Sequence, residues 1–417
     1  MRATGLVLTA TLARAQRAPR PAPRQRGSRA GAIVSSLACA LVALAPITAS
    51  AQQWQARVAA NAELRYDDNV RLTIDDPQSS LVTSLRAAGH AIRRTENTSL
   101  DLIGGVSLNT YSDASDLDNP GAFLRLDSRF RGERSEYSLG LLFDTQSTLT
   151  SEAATSGLTE VNKQRYQFVV SPQWSYSVTE RASVNLGLNY RDVFYEDVTD
   201  TPLFDYRVGT LSVGGGYRLS ERGALDLRLD YGQFRTDQVG TEYDNFGAQL
   251  GGNYLLTESW SLTVLAGLRR TEARFPGFFG TRVTQESTGP TYALNLRKQF
   301  DRGGGLDFGA TRELAPSGTA EVLDTTSLRF RVTYPFTERW RVRLDVNGYR
   351  NRQPDGESSV SDREYAAGTL RLTYQLQPAW TLAAGYRYRW QNRDEIPGDA
   401  DSNAVFMTLA WDKNWGL

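Results

Sequence analysis

The chain has 417 residues, with 47 basic and 47 acidic side chains, one histidine and one cysteine. Balanced charge excludes the strongly basic surface of a nucleic-acid-binding protein, and a single cysteine excludes a disulfide framework. No run of eighteen apolar residues follows Ala51, which excludes a helical membrane span but not strands, since these show lipid only at every second residue.

Residues 1–51 read as a leader. Seven arginines (Arg2, Arg14, Arg17, Arg20, Arg24, Arg26, Arg29) precede an apolar stretch from Ala32 to Ala45, and small residues follow at Ala49-Ser50-Ala51. This order predicts a secretory signal peptide cleaved after Ala51, leaving residues 52–417 as one domain. Cys39 lies in the apolar stretch, but Ser36 stands where a lipoprotein signal wants leucine, so the mature chain is expected to carry no thiol. Removing seven positive charges leaves 40 basic against 47 acidic residues, a net charge of −7.

The rest of the chain repeats a hairpin. In order, Thr95-Glu96-Asn97, Glu133-Arg134-Ser135, Thr179-Glu180-Arg181, Ser220-Glu221-Arg222, Thr257-Glu258-Ser259, Asp301-Arg302-Gly303, Thr337-Glu338-Arg339 and Gln377-Pro378-Ala379 separate pairs of runs that alternate apolar and polar residues. Trp340, Val342, Leu344 and Val346, for example, interleave with Arg341, Arg343, Asp345 and Asn347. Period two over such lengths is a strand with one apolar face. Longer polar links fall near 67–78, 112–119, 148–162, 196–205, 237–242, 275–286, 314–324, 352–363 and 393–401. Eight short turns and nine long links make seventeen connections, hence about eighteen strands (16–18). The expected fold is all-β, a transmembrane antiparallel up-and-down β-barrel with short turns periplasmic and long loops outside. A β-propeller blade packs four short strands into such a repeat, and these strands are too long for it. Trp260, Trp340 and Trp380 follow short turns while Tyr66, Tyr111, Tyr190, Tyr231 and Tyr349 adjoin long links, as two interfacial girdles would require.

With the apolar set facing lipid, the polar set lines the interior, because a charge on the outer face costs about 2–4 kcal/mol at the bilayer midplane. Arg329, Arg331, Arg341, Arg343, Arg371, Arg387 and Arg389 then form a basic wall, with Asp345 the main inward acid nearby. Such a wall attracts anions. Arg125, Asp127 and Arg129, and likewise Asp226, Arg228 and Asp230, read as balanced ladders. The links 148–162 and 275–286 are candidates for folding inward. One histidine, His90, gives catalysis little to build on, and no nucleophile elbow or zinc motif is present. Asp113, Asp116 and Asp118, and Asp399 with Asp401, lack the spacing of a calcium loop, so no cofactor or metal is expected.

The first mature strand ends Leu64-Arg65-Tyr66-Asp67-Asp68-Asn69-Val70. An opening strand ending in Tyr66, Asp67, Asp68, Asn69 and Val70, followed by such hairpins, resembles the β-barrel porin 2 family of proteobacterial outer-membrane proteins. The resemblance implies a cell outer-membrane porin that passes an exopolysaccharide. Partners would be outer-membrane lipid and lipopolysaccharide, the barrel-assembly machinery, a polysaccharide and a periplasmic export protein. Leu417 departs from the aromatic end usual in such barrels. The alternatives are a general or small-solute diffusion porin, a structural or adhesive barrel with a closed lumen, and a barrel enzyme built around His90.

Overall fold

A computed structural model describes residues 54–152, 162–199, 201–276, 281–354, 362–394 and 396–416. The expected signal peptide lies outside the described residues. Eighteen strands follow in order: β1 (Trp54–Asp67), β2 (Ser80–Arg94), β3 (Thr98–Tyr111), β4 (Asn119–Arg131), β5 (Ser135–Ser147), β6 (Gln164–Ser177), β7 (Ala182–Tyr195), β8 (Tyr206–Arg218) and β9 (Gly223–Arg235). Then come β10 (Glu242–Leu255), β11 (Trp260–Pro276), β12 (Arg282–Gln299), β13 (Gly305–Pro316), β14 (Val322–Pro335), β15 (Trp340–Arg352), β16 (Arg363–Gln377), β17 (Trp380–Arg393) and β18 (Ile396–Gly416). Each strand pairs with its neighbours in sequence, and β1 pairs with both β2 and β18, so the sheet closes on itself. Closure leaves no free edge, which a membrane interior demands.

The two faces separate as the alternation requires. On β1, Leu64 and Tyr66 are 54% and 51% exposed on the outside, whereas Glu63 and Asp67 are 7% and 1% exposed within. Leu229, Phe246, Leu250 and Leu268 continue the exposed apolar band around the wall. A closed sheet with an apolar outer band and a polar interior is a transmembrane β-barrel.

The short turns recur for a local reason. Their Thr or Ser hydroxyl accepts hydrogen bonds from backbone N–H groups two and three residues on: Thr179 from Arg181 and Ala182, Thr257 from Ser259 and Trp260, Thr337 from Arg339 and Trp340. Ser220 accepts in the same way from Arg222, and Thr95 from Thr98. The hydroxyl stands in for a backbone carbonyl and fixes the reversal.

Three long links are shorter than expected. The ladder of β11 and β12 runs up to Pro276↔Arg282, that of β13 and β14 to Pro316↔Val322, and β18 begins at Ile396. Alternation of hydropathy stops at the rim of the apolar band, but the backbone ladder continues through cross-strand polar pairs such as Arg270 with Glu286 at 2.8 Å. The last strand is also longer than Val405–Trp411, because Asp412 to Gly416 pair with β1 as far as Gln55↔Gly416. Arg57 holds Asp412 across that closing seam. Two tyrosines expected in the outer girdle face inward instead. Tyr111 is in register with Val82 and Tyr349 with Tyr365, both on the interior face, and Tyr349 stacks on Tyr365 at 5.0 Å.

Candidate functional site

Register brings the seven arginines to one interior wall. Asp67, Ala404, Arg387, Thr369, Asp345, Arg331 and Asp307 are successive partners across β1, β18, β17, β16, β15, β14 and β13. One pleat toward the long loops, Ser402, Arg389, Ala367, Asn347 and Arg329 form the next row. One pleat the other way run Arg65, Phe406, Gly385, Arg371 and Arg343, and below them Glu63, Thr408, Ala383, Thr373 and Arg341.

Most of these arginines are compensated, and by more acids than Asp345. Arg331 and Arg343 do hold Asp345, at 2.5 and 2.6 Å. Arg371 lies 3.4 Å from Glu63 and over the ring of Phe406, while Arg387 and Arg389 reach Asp67 at 2.8 and 3.1 Å. Glu63 and Asp67 belong to the first strand, which meets the wall only because the barrel closes. Arg329 and Arg341 have no ion-pair or hydrogen-bond partner among the described residues. The excess of guanidinium over carboxylate leaves the wall positive, as Arg65 adds an eighth cation beside Glu63 and Asp67.

The Tyr66–Val70 segment is a clasp. Tyr66 points outward, and Asp67 is buried against Arg387, Arg389 and the Ser402 hydroxyl. Asp68 accepts from the backbone N–H and side chain of Asn403. Asn69 donates to the carbonyls of Thr73 and Asp401 and accepts from the Thr73 N–H, and the Val70 N–H donates to the Gln78 carbonyl. Gln391 donates to the Leu72 carbonyl. The segment ties β1 to β17 and β18 and pins the first long loop.

The long-loop end is narrowed from inside. A one-turn helix, α1 (Thr148–Ser151), is capped by Ser147. The next residue, Glu152, is 1% exposed, accepts from the Tyr195 hydroxyl at 2.6 Å and lies 3.6 Å from Arg165. Residues 153–161 of this expected constriction lie outside the described residues. The other expected constriction, 275–286, is mostly strand. Two links that were expected only as outer loops fold in instead: the Phe204 N–H donates to the Gly318 carbonyl at 2.7 Å. Their parent hairpins are six strands apart, so this bond crosses the mouth. Val193, Tyr195, Leu203, Tyr206, Phe234, Tyr243, Ala273 and Val322 form an apolar core around it. The sequence signal was Val198, Leu203 and Phe204, apolar residues in an otherwise polar link.

The β13–β14 tip bends in because its wall contact ends early. The β12–β13 ladder stops at Tyr292↔Arg312, although β12 continues to Arg282. Beyond that point Arg269, on the inner face of β11, crosses Gly289 of β12 to bond Asp324 of β14 at 2.5 Å. Arg312 bonds the same carboxylate at 3.0 Å. Arg269 and Asp324 are 3% and 7% exposed, so this ion cluster is a buried latch on the infolded hairpin.

The remaining candidates have structural partners. Asp116 pairs with Arg71 at 2.5 Å, Asp118 accepts from the Tyr111 N–H at 2.7 Å, and Asp113 accepts from Ser112. Asp399 accepts from Asn392, and Asp401 from Asn403. His90 faces inward and bonds Asp101 at 2.8 Å. Among the described residues no three His, Cys, Asp or Glu side chains are grouped to hold a metal ion. Arg125 pairs with Asp127, and Arg228 with Asp230, along one strand and not across the ladder.

No family model matches the chain, and no curated protein matches it. The resemblance carried by Tyr66–Val70 therefore stands without a family match. Among solved structures the chain is similar to OccAB4 of Acinetobacter baumannii, at 12% identity and a TM-score of 0.43, covering 88% of this chain and 100% of that one. It is similar to Pseudomonas aeruginosa OpdK solved with vanillate, at 13% identity and a TM-score of 0.45, covering 87% of this chain and 99% of that one. A BenF-like porin from Pseudomonas fluorescens shows 13% identity and a TM-score of 0.44, covering 86% of this chain and 99% of that one. The chain's own register and faces, independently of these distant likenesses, make it a closed eighteen-strand transmembrane β-barrel, the architecture of the cell outer membrane.

Proposed function

We propose that the barrel is a diffusion porin for small water-soluble solutes, with a preference for anions. The observation that carries this reading is a polar interior with excess arginine, narrowed at its outer end by links that fold inward. An eighteen-strand barrel is wide enough for an aqueous lumen, and a positive wall raises the local concentration of anions. The bridge between Phe204 and Gly318, wrapped in apolar side chains, favours small solutes over the exopolysaccharide that the family resemblance implies. In this reading the outer face meets lipid and lipopolysaccharide and the barrel-assembly machinery inserts the chain, whereas a polysaccharide and an export protein belong to the other reading alone.

Planar-bilayer recording of the refolded barrel tests the proposal. A steady conductance with an anion-selective reversal potential is expected. Changing the two unpaired cations, Arg329→Gln with Arg341→Gln, should lower the anion-to-cation permeability ratio by about two- to threefold, the scale of a screened charge in a water-filled pore. Arg387 and Arg389 are poorer targets, since removing them strands Asp67. Absence of conductance would replace the porin with a closed structural barrel, and cation selectivity would sink the basic-wall reading. We also propose that the barrel is not an enzyme. His90→Ala should leave conductance and selectivity as they are, and a catalytic role would require an activity that this variant abolishes.

A further inference from the structure

Beneath the infolded hairpin lies an interior cavity of about 740 Å³, lined among others by Glu313, Thr325, Ser327, Arg329, Asn347 and Tyr349. Its charges differ from those around it. Neighbouring interior carboxylates are bonded: Asp307 to Arg297, Asp345 to Arg331 and Arg343, Asp324 to Arg269 and Arg312. Glu313 and Arg329 are both exposed to the cavity, and neither has an ion-pair or hydrogen-bond partner among the described residues. Within one cavity an anion and a cation thus remain uncompensated, on adjacent strands.

Their spacing has a scale. Glu313 is in register with Thr325, and Arg329 follows four residues further along β14, so the two backbones stand roughly 14 Å apart at about 3.4 Å per residue. Asp345 and Arg331, directly across the ladder, meet at 2.5 Å, whereas Glu313 and Arg329 at this separation do not bond each other. Two long side chains reaching into the cavity shorten the gap to roughly 7–11 Å, the length of two or three extended residues. Between them lie the hydroxyls of Thr325 and Ser327, bonded to Asn351 and Thr311 but with oxygens still able to accept from peptide N–H groups, and the amide of Asn347 stands across the ladder from Arg329. Tyr349 stands at the cavity edge, braced by Tyr365 at an interplanar angle of 17° and by the Arg363 guanidinium.

We infer that this cavity is a subsite for small zwitterions of the size of a di- or tripeptide, with Arg329 taking the carboxylate, Glu313 the ammonium group and the hydroxyl and amide side chains the peptide bonds. The inference rests on the porin reading and adds a solute class to it. Each charge is solvated in the lumen, so the attraction is weak, as passage requires. The excess arginine of the wall and the lone Glu313 have different roles: the first gathers anionic groups, and the second selects those that carry a cation as well.

Swelling of liposomes that contain the refolded barrel separates the possibilities. The probes are arabinose, glycylglycine, and N-acetylglycinamide, which is of similar size but carries no charge. Wild type should admit glycylglycine faster relative to N-acetylglycinamide than size alone allows. Glu313→Gln and Arg329→Gln should each lower that ratio by about two- to fivefold, the scale of one solvated ion pair. The exchanged variant, Glu313→Arg with Arg329→Glu, keeps one charge of each sign and should recover most of the preference, which a purely steric role for these side chains would not produce. If arabinose enters but the glycylglycine ratio is the same in wild type and all variants, the inference is overturned while the pore stands. If arabinose does not enter through wild type, the porin reading falls and takes this subsite with it.

Discussion

Replacing Asp67 by alanine is expected to destabilise the barrel by about 3–5 kcal/mol, the cost of leaving buried charges without their counterion. Asp67 is 1% exposed and is the acid held by both Arg387 and Arg389, with Arg65 3.7 Å away. Its removal leaves three guanidinium groups facing one another in a confined interior. The same carboxylate accepts from Ser402 on β18, so the loss falls on the strands that close the barrel. Asp67→Asn keeps one hydrogen bond acceptor and should cost less than the alanine variant. The measurement is the denaturant midpoint of the refolded barrel in lipid, followed by its heat-modifiable mobility on gels. Combining Asp67→Ala with Arg389→Met should recover part of the loss, because the second change removes one of the stranded charges. A midpoint unchanged in Asp67→Ala would mean that water, not Asp67, solvates these arginines.

The second large effect is expected in conductance rather than in overall stability. Asp324→Ala removes the carboxylate that joins Arg269 and Arg312 and leaves a guanidinium that is 3% exposed unpaired. The β13–β14 tip is tied to the wall on one side by β15 and on the other by this latch, since its ladder to β12 ends at Tyr292. Loss of the latch should cost about 3 kcal/mol locally and release the tip from the mouth. Single-channel recordings should then show a conductance raised several-fold or a new flickering between levels, with the barrel itself still folded. Gly318→Leu should act in the same direction, because a side chain there collides with the Tyr195 ring and Leu203. A folded Asp324→Ala barrel with unchanged conductance would show that the narrowest point lies elsewhere.

Much of this architecture is legible in the sequence. The turns at Thr179, Thr257 and Thr337 announce themselves because the hydroxyl that closes each reversal is three residues or fewer from the groups it binds. Strand faces were equally plain, since period two places Leu64 and Tyr66 on one side and Glu63, Arg65 and Asp67 on the other. Loop ends were not, because polar residues above the apolar band look alike in a strand and in a loop. Tyr349 was misplaced for a related reason: an aromatic near a strand end suits an outer girdle and an inner stack equally well.

The sequence by itself determined a count of about eighteen strands, their up-and-down order and the face on which most side chains of the membrane band stand, because these depend on local alternation and on short reversals. Tertiary structure alone decided which charges meet. Only closure of the sheet sets Asp67 and Glu63 of the first strand against arginines of β16 and β17 more than three hundred residues away. Only the early end of the β12–β13 ladder lets a hairpin tip cross the mouth, where Phe204 and Gly318 meet. Such contacts join residues distant in the chain through a three-dimensional register, and a periodicity read along one strand carries no information about its neighbour across the lumen.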